Sequence, residues 1–347
     1  MTTTTTREVR LAARPEGTPG PEHFDLVEAE LAELGDGQVL VANLVMSVDP
    51  YMRGRMREGR SYADPWEVGA AMRGGAVGRV LASRSPQVGE GAYVVHDLAW
   101  REHAVVDAAA VRRIDPSSFP LSYHLGVLGM PGLTAYAGLH DVAAIDEGDT
   151  VFVSGAAGAV GSVAGQIARL HGCTVIGSAG SPDKVRWLLD ELGFDGAFDY
   201  HDGPVARSLA AAAPDGIDVY FDNVGGEHLE AAIGHLRLHG RVAVCGMISQ
   251  YNDEEPSPGP RNLGLLIVNR LTIRGFLVGD HAHGYDEFQQ RMRAWLSSGE
   301  LAVRETVAEG LDQAPDAFLG LFRGDNVGKM LVRLGDDPDA EVVAPSR

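Results

Sequence analysis

Residues Thr150–Gly161 read Thr-Val-Phe-Val-Ser-Gly-Ala-Ala-Gly-Ala-Val-Gly, a run that few folds accommodate. Thr150–Ser154 is β-rich without polar alternation, the pattern of a strand covered on both faces. Ala156-x-Gly158-x-x-Gly161 follows at once, a dinucleotide fingerprint with Ala in place of the first glycine. A helix then opens, with Val160, Val163, Ala164, Ile167, Ala168 and Leu170 on one stripe and Gly172 just past its end. The spacing has a physical logic. A tight turn needs small residues, Gly158 lets the backbone approach a pyrophosphate, and Gly161 lets helix and strand pack closely. The N–H groups at the helix start, from Gly158 through Ala159 and Val160 to Gly161, then hold the phosphates.

The chain has 347 residues, room for two domains and a large core. Hydrophobic content of 45% against 22% charged marks it as globular. No apolar run reaches membrane-spanning length, and Met1–Arg10 has no signal-peptide core, which makes the cytoplasm the default compartment. Thr2–Thr6 reads as an unstructured leader. Two cysteines, Cys173 and Cys245, fit a reducing compartment and exclude both a disulfide framework and a Cys-rich structural zinc site. The formal net charge of −19 argues against nucleic acid or an anionic membrane as partner. An anionic cofactor would therefore need local positive groups. Only two lysines occur, Lys184 and Lys329, so a lysine at a motif position stands out.

Before the fingerprint the pattern is mostly β. Glu8–Ala12, Phe24–Glu30, Gln38–Val48, Ala76–Ser83 and Gly91–Val95 read as strands, and Gly35-Asp36-Gly37 predicts a hairpin between the second and third. From Tyr123 helices are expected, Tyr123–Gly129 and Gly132–Ala143, split at Met130-Pro131-Gly132. Strand and helix then alternate from Thr150 to Val278, which predicts a parallel, doubly wound sheet with ligand at the carboxyl ends of its strands. His283–Ser298 and Pro315–Phe322 read as helices, Asn326–Leu334 as a strand, and Gly335–Arg347 as an acidic mobile tail.

Several stretches resemble the medium-chain dehydrogenase/reductase superfamily, and within it the zinc-independent prostaglandin reductases (leukotriene 12-hydroxydehydrogenases) and alkenal double-bond reductases. They are VDPYMR (Val48–Arg53), LGMPGLTAYAGL (Leu128–Leu139), SGAAGAVGSVAGQIARL (Ser154–Leu170), GSAGSPDKV (Gly177–Val185), FDNVGG (Phe221–Gly226), HGRVAVCGMISQYN (His239–Asn252) and NVGKM (Asn326–Met330). The resemblance implies an α/β protein with a GroES-like catalytic domain, residues 1–122 completed by 302–347, and a Rossmann domain, residues 123–301. It implies NADPH-dependent reduction of an α,β-unsaturated ketone or aldehyde, and a homodimer. Quinone reduction and non-catalytic, crystallin-like NADPH binding are the competing readings. The loops Ser61–Ala71 and Asp253–Asn262 are expected to shape the pocket.

An NAD enzyme places Asp or Glu about 20 residues past the fingerprint to hold the ribose 2′-hydroxyl. Here that position is Ser178, with Lys184 just beyond, able to pair with a 2′-phosphate; the resemblance places Lys184 there too. Asp183, the nearest acid, reads as a first-turn helix residue after Pro182. Tyr200, Asn223, Cys245, Met247, Ser249, Tyr251, Phe276, Val278 and Asn326 match the family's cofactor contacts, and Met130 and Thr134 resemble residues beside the nicotinamide. Cys245, at the end of an apolar strand with no His nearby in sequence, does not read as a nucleophile.

Zinc-dependent relatives carry a Cys ligand and a Gly-His-Glu motif; the corresponding Arg73-Gly74-Gly75-Ala76-Val77-Gly78 has neither, so no metal is expected. Reduction of an enone puts negative charge on the carbonyl oxygen, which a hydroxyl can stabilise. The resemblance puts Tyr251 and Tyr51 in reach of that role, and the cofactor's ribose hydroxyl competes with both.

Overall fold

The computed structural model describes residues 4–59 and 61–336, and the chain divides into two compact units. The first comprises residues 1–125, 305–326 and 330–347. It begins with β1 (Thr5–Leu11) and β2 (Phe24–Glu30), which pair antiparallel as a two-stranded sheet. Thr5 and Thr6 thus belong to a strand and not to a leader; Thr2 and Thr3 lie outside the described residues, as does the tail beyond Asp336.

The expected hairpin between β2 and β3 (Gln38–Ser47) does not form. Only Phe24 of β2 is buried, whereas β3 is apolar and buried almost throughout, as befits a central strand. β3 takes β4 (Ala76–Ser83) on one side, and on the other β6 (His103–Asp107) against its first half. Between β3 and β4 lies the single helical turn α1 (Met52–Arg55). β5 (Tyr93–His96) and β7 (Arg112–Ile114) continue the sheet outward from β4. β6 and β7 carry too few residues for their periodicity to be read from sequence.

The second unit comprises residues 126–304 and 327–329. The expected helix Tyr123–Gly129 is absent; Leu121–Leu125 forms a short 3-10 turn, and Gly126 and Gly129 close a turn on each other. α2 (Met130–Ala137) follows and runs into a π-helical turn, Gly138–Ala143. The alternation is then β8 (Thr150–Val153), α3 (Gly161–Leu170), β9 (Thr174–Ala179), α4 (Pro182–Asp190), β10 (Gly196–Asp199), α5 (Val205–Ala212), β11 (Ile217–Asp222), α6 (Gly226–His235), β12 (Leu236–Val244), α7 (Leu265–Val268), β13 (Thr272–Gly275) and α8 (Tyr285–Ser298). The strands are parallel in the order β10-β9-β8-β11-β12-β13. That order reverses direction between β8 and β11, and ligands of such sheets bind at the carboxyl ends beside the reversal. Val151, Phe152 and Val153 are fully buried, and α3 lays Val163, Ala164, Ile167 and Ala168 against the sheet.

The chain then re-enters the first unit with β14 (Glu305–Glu309), α9 (Ala314–Arg323) and β15 (Lys329–Arg333). β15 pairs with the second half of β3, giving a seven-stranded sheet. The observed strand starts at Lys329 and not at Asn326. α9 brings Phe318 against Phe24 and Trp100, with ring centroids 6.1 Å from each. All three are buried, so the C-terminal segment completes the core of the N-terminal one. Phe318→Ala should destabilise the protein by about 3–5 kcal/mol, read as a lowered midpoint in urea denaturation.

Candidate functional site

The turn after β8 is built by close approach. Ala156 donates its N–H to Ser178 O (2.9 Å), and Gly158 to Gly155 O (3.0 Å). A Cβ on Gly161 would stand 2.4 Å from Gly155 O, so only glycine lets α3 begin there. A Cβ on Gly158 would meet Gly155 O alone, at 3.2 Å, which leaves its outer side open to a ligand. Ala159 and Val160 are half-buried beside it, at the start of a ten-residue helix whose Ser162 N–H is already taken by Gly158 O (3.0 Å). An open, small-residue cradle at a helix start fits a dinucleotide pyrophosphate.

Val327–Lys329 crosses this turn. Gly328 donates its N–H to Ala157 O (2.8 Å) and bridges Gly158 in parallel. Its φ of +67° and a Cβ position 1.8 Å from Arg304 O both require glycine. The motif NVGKM is visible in sequence, but nothing local marks Gly328 as the residue that meets the fingerprint. Asn326, half-buried, precedes this strap. Lys329, the other lysine, is buried in it.

At the ends of β9 and β10 a second cluster forms. Ser178 is fully buried. Ser181 caps α4 by accepting the Lys184 N–H (3.3 Å), which seats the half-buried Lys184 in the first turn. Asp183 is paired with Arg186 on the surface. The Tyr200 ring lies over Gly180, where a Cβ would come 2.7 Å from its hydroxyl, and it touches the rings of His201 (4.3 Å) and His228 (5.4 Å).

The third cluster follows β11 and β12. Asn223 donates from Nδ2 to Ser154 O (2.8 Å), beside Gly155. Cys245 is half-buried, and burial pushes its thiol up to about 12, so it stays protonated and unreactive. In the following loop Ser249 is exposed, while Tyr251 turns back: its phenol oxygen accepts the Met247 N–H at 3.3 Å. Burial raises the Tyr251 pKa, which leaves its O–H intact as a donor. Phe276 packs edge-on to Phe221 (6.4 Å) over Gly138, and Val278 opens the 3-10 turn that follows. Met130 is the partly exposed first residue of α2, and Thr134 is buried with its hydroxyl donating to Met130 O (2.8 Å).

Tyr51 belongs to the first unit. It leads into α1 and is half-buried against the core cluster. Burial first, and the charge of Asp49 second, raise its pKa well above the ordinary phenol value. Around it Ser47 donates to the Asp49 carboxylate, and the fully buried Arg53 donates to Gly17 O (2.6 Å). Among the described residues no group of three His, Cys, Asp or Glu is placed to hold a metal ion, and no helix is long and apolar enough to cross a membrane.

Two family models match the chain: an N-terminal domain of oxidoreductase over residues 7–114, and one described as zinc-binding dehydrogenase over residues 159–298. A putative NADP-dependent oxidoreductase of Bacillus subtilis is 44% identical, covering 96% of this chain and 99% of its own. A 2-alkenal reductase (NADP⁺-dependent) of Nicotiana tabacum is 45% identical, over 86% and 88%. The chain belongs to the medium-chain dehydrogenase/reductase family, in its prostaglandin and alkenal reductase branch. The structure of CurA from Vibrio vulnificus in complex with NADPH is similar to it with a TM-score of 0.91 and 40% identity, over 95% of this chain and 100% of that one. The mostly-β unit and the doubly wound unit are accordingly the GroES-like and Rossmann parts of the family's fold.

His228 gives the Rossmann part a measurable pH response. Its Nε2 is buried with no hydrogen-bonding partner among the described residues, and burial holds its pKa near 4. An unfolded histidine titrates near 6.5. The unfolded chain therefore takes up the proton first, and stability present above about pH 6.5 is lost as pH falls toward 4. His96 and His140, depressed alike, add to this slope. His228→Phe keeps a ring in place and should remove one share, about 2 kcal/mol at pH 5. Urea denaturation at pH 7 and pH 5 measures it.

Proposed function

We propose that this protein is an NADPH-dependent reductase of the C=C bond of α,β-unsaturated ketones and aldehydes, acting without zinc. The observation that carries the reading is the pairing of a phosphate-cradling turn with Lys184 beyond the end of β9, where the neighbouring carboxylate, Asp183, is taken up by Arg186. The relatives named 2-alkenal reductase, (+)-pulegone reductase and NADPH-dependent curcumin reductase support the substrate class.

NADPH, when bound, supplies the hydride that adds to the β-carbon of the enone. Gly158, Ala159, Val160 and Gly161 hold its pyrophosphate; Ser178, Lys184 and Tyr200 line the 2′-phosphate end. Met130, Thr134, Asn223, Cys245, Met247, Ser249, Phe276, Val278 and Asn326 hold the remainder. Tyr251 accepts from Met247 N–H, so its own proton is left to donate to a carbonyl oxygen as that oxygen gains charge. Tyr51, kept protonated by its burial, orients the substrate from the catalytic unit. Neither role needs a Lewis acid, and both cysteines lie in the Rossmann part. The cysteines are free thiols, in keeping with the cytoplasm.

The working form is a homodimer. β13 is an edge strand of the parallel sheet, and nearby Leu263, Ile267 and Val268 are exposed, Ile267 by 82%. An open sheet edge with exposed apolar residues on the preceding helix calls for a covering partner, and sedimentation velocity reads the mass.

Lys184→Ala should raise KM for NADPH about 10- to 150-fold, the effect of one hydrogen bond to a charged group, and leave KM for NADH nearly unchanged. Equal changes for both cofactors would remove Lys184 from the 2′-phosphate. The reading itself is tested by NADPH oxidation against enals, enones, quinones and saturated alcohols, before and after chelation. Turnover of enals and enones that survives chelation is expected; turnover of quinones alone, or a loss with chelator, would overturn it. Tyr251→Phe should lower kcat by about 10²–10³-fold with NADPH binding retained.

A further inference from the structure

Resting on the cofactor reading above, we propose that Asp222 is the positioning residue of the Rossmann site: its side chain orders the turn at the end of β11, and the backbone of that turn ties Ser154, at the end of β8, to the loop carrying Met247, Ser249 and Tyr251. Asp222 ends β11 and is fully buried. Its Oδ1 accepts from Tyr220 Oη (2.6 Å), Gly225 N (2.8 Å) and Val224 N (3.0 Å) and stands 3.4 Å from Ser154 Oγ. Tyr220 Oη also lies 2.9 Å from Ser154 Oγ. With the phenol's one proton on the carboxylate, Ser154 is the donor in that second contact. Oδ2 is buried with no hydrogen-bonding partner among the described residues. The donors are thus gathered on one oxygen, which fixes the carboxylate plane and the turn that follows.

The backbone carries this order outward. Asp222 O accepts the N–H groups of Cys245 (2.8 Å) and Gly246 (3.0 Å). Asn223 donates its N–H to Ser154 Oγ (3.0 Å) and accepts from Ile248 N (3.3 Å). Val224 O takes the Ser249 N–H (3.2 Å) and hydroxyl (2.6 Å). A Cβ on Gly155 would already touch Asn223 Cβ at 3.5 Å. One residue therefore holds the ends of β8, β11 and β12 in fixed relation, while making no call on the 2′-phosphate end. Removing it strands the buried Gly225 N–H and the part-buried Val224 N–H and leaves the Tyr220 phenol with Ser154 alone, a cost usually large enough to relax a turn.

An asparagine at this position keeps the accepting oxygen; an alanine does not. Two readouts separate positioning from bulk stability. The first is the dissociation constant of NADP⁺ and of NAD⁺ by isothermal titration calorimetry. Asp222→Ala should weaken both by the same factor, about tenfold or more, and Asp222→Asn should restore both to within a few-fold. The second is hydrogen exchange in the ligand-free protein. Asp222→Ala should lose protection at the amides of Cys245, Gly246, Ile248 and Ser249, and Asp222→Asn should keep it. Tyr220→Phe removes a single donor and should fall between the two, which keeps the test open if Asp222→Ala does not fold. Unchanged binding and unchanged loop protection in Asp222→Ala would overturn the proposal. So would an Asp222→Asn as impaired as the alanine variant, or a Tyr220→Phe identical to wild type where the alanine variant is unfolded. Wild-type protein that fails to bind NADP⁺ would condemn the cofactor reading instead, with the positioning role still decided by exchange.

Discussion

Gly161 sits so close to the backbone of Gly155 that a methyl group there would come within 2.4 Å of a carbonyl oxygen. That contact brings the first turn of α3 against the end of β8, and much of the Rossmann part depends on it. The approach sets the open side of Gly158, the meeting of Gly158 with Gly328, and the proximity of Gly155 to Asn223. Phosphate recognition, as proposed for this turn, is a property of backbone spacing, and side chains enter chiefly to keep the spacing fixed. Asp222 does so from beneath, and the Val327–Lys329 strap from the side.

Electrostatics then divide the labour among the strand ends. A protein with a net charge of −19 repels anions at long range, so its phosphate affinity must come from short-range donors. In the proposed function, backbone N–H groups and Lys184 meet that need. Burial keeps Tyr51, Tyr251 and the Cys245 thiol protonated, so each is a neutral group and none is a ready nucleophile.

The fold class was legible because its signals are local. A covered strand, a small-residue turn and a striped helix occupy consecutive residues, and the strand-helix alternation repeats down the chain. The positions of Lys184 in the first turn of α4, and of Tyr200, Asn223 and the Cys245–Tyr251 loop just past β10, β11 and β12, were legible from the strand-helix alternation. Non-local pairing was not legible. β2 has the alternation of a hairpin partner, yet joins β1, because β3 is buried on both faces and takes β4, β6 and β15. No sequence pattern ties Gly328 to Ala157, or Ser154 to Asp222, across such separations. The backward turn of Tyr251 onto Met247 depends on a loop whose anchor is a different strand end.

In the proposed reaction these residues direct reduction to a carbon–carbon double bond and leave the carbonyl intact. Turnover of an enone with NADPH carrying deuterium at the transferable position, followed by mass and NMR analysis of the product, tests it most directly. Deuterium at the β-carbon of a saturated ketone is the predicted result. Deuterium on a carbinol carbon would contradict it and make the protein a carbonyl reductase.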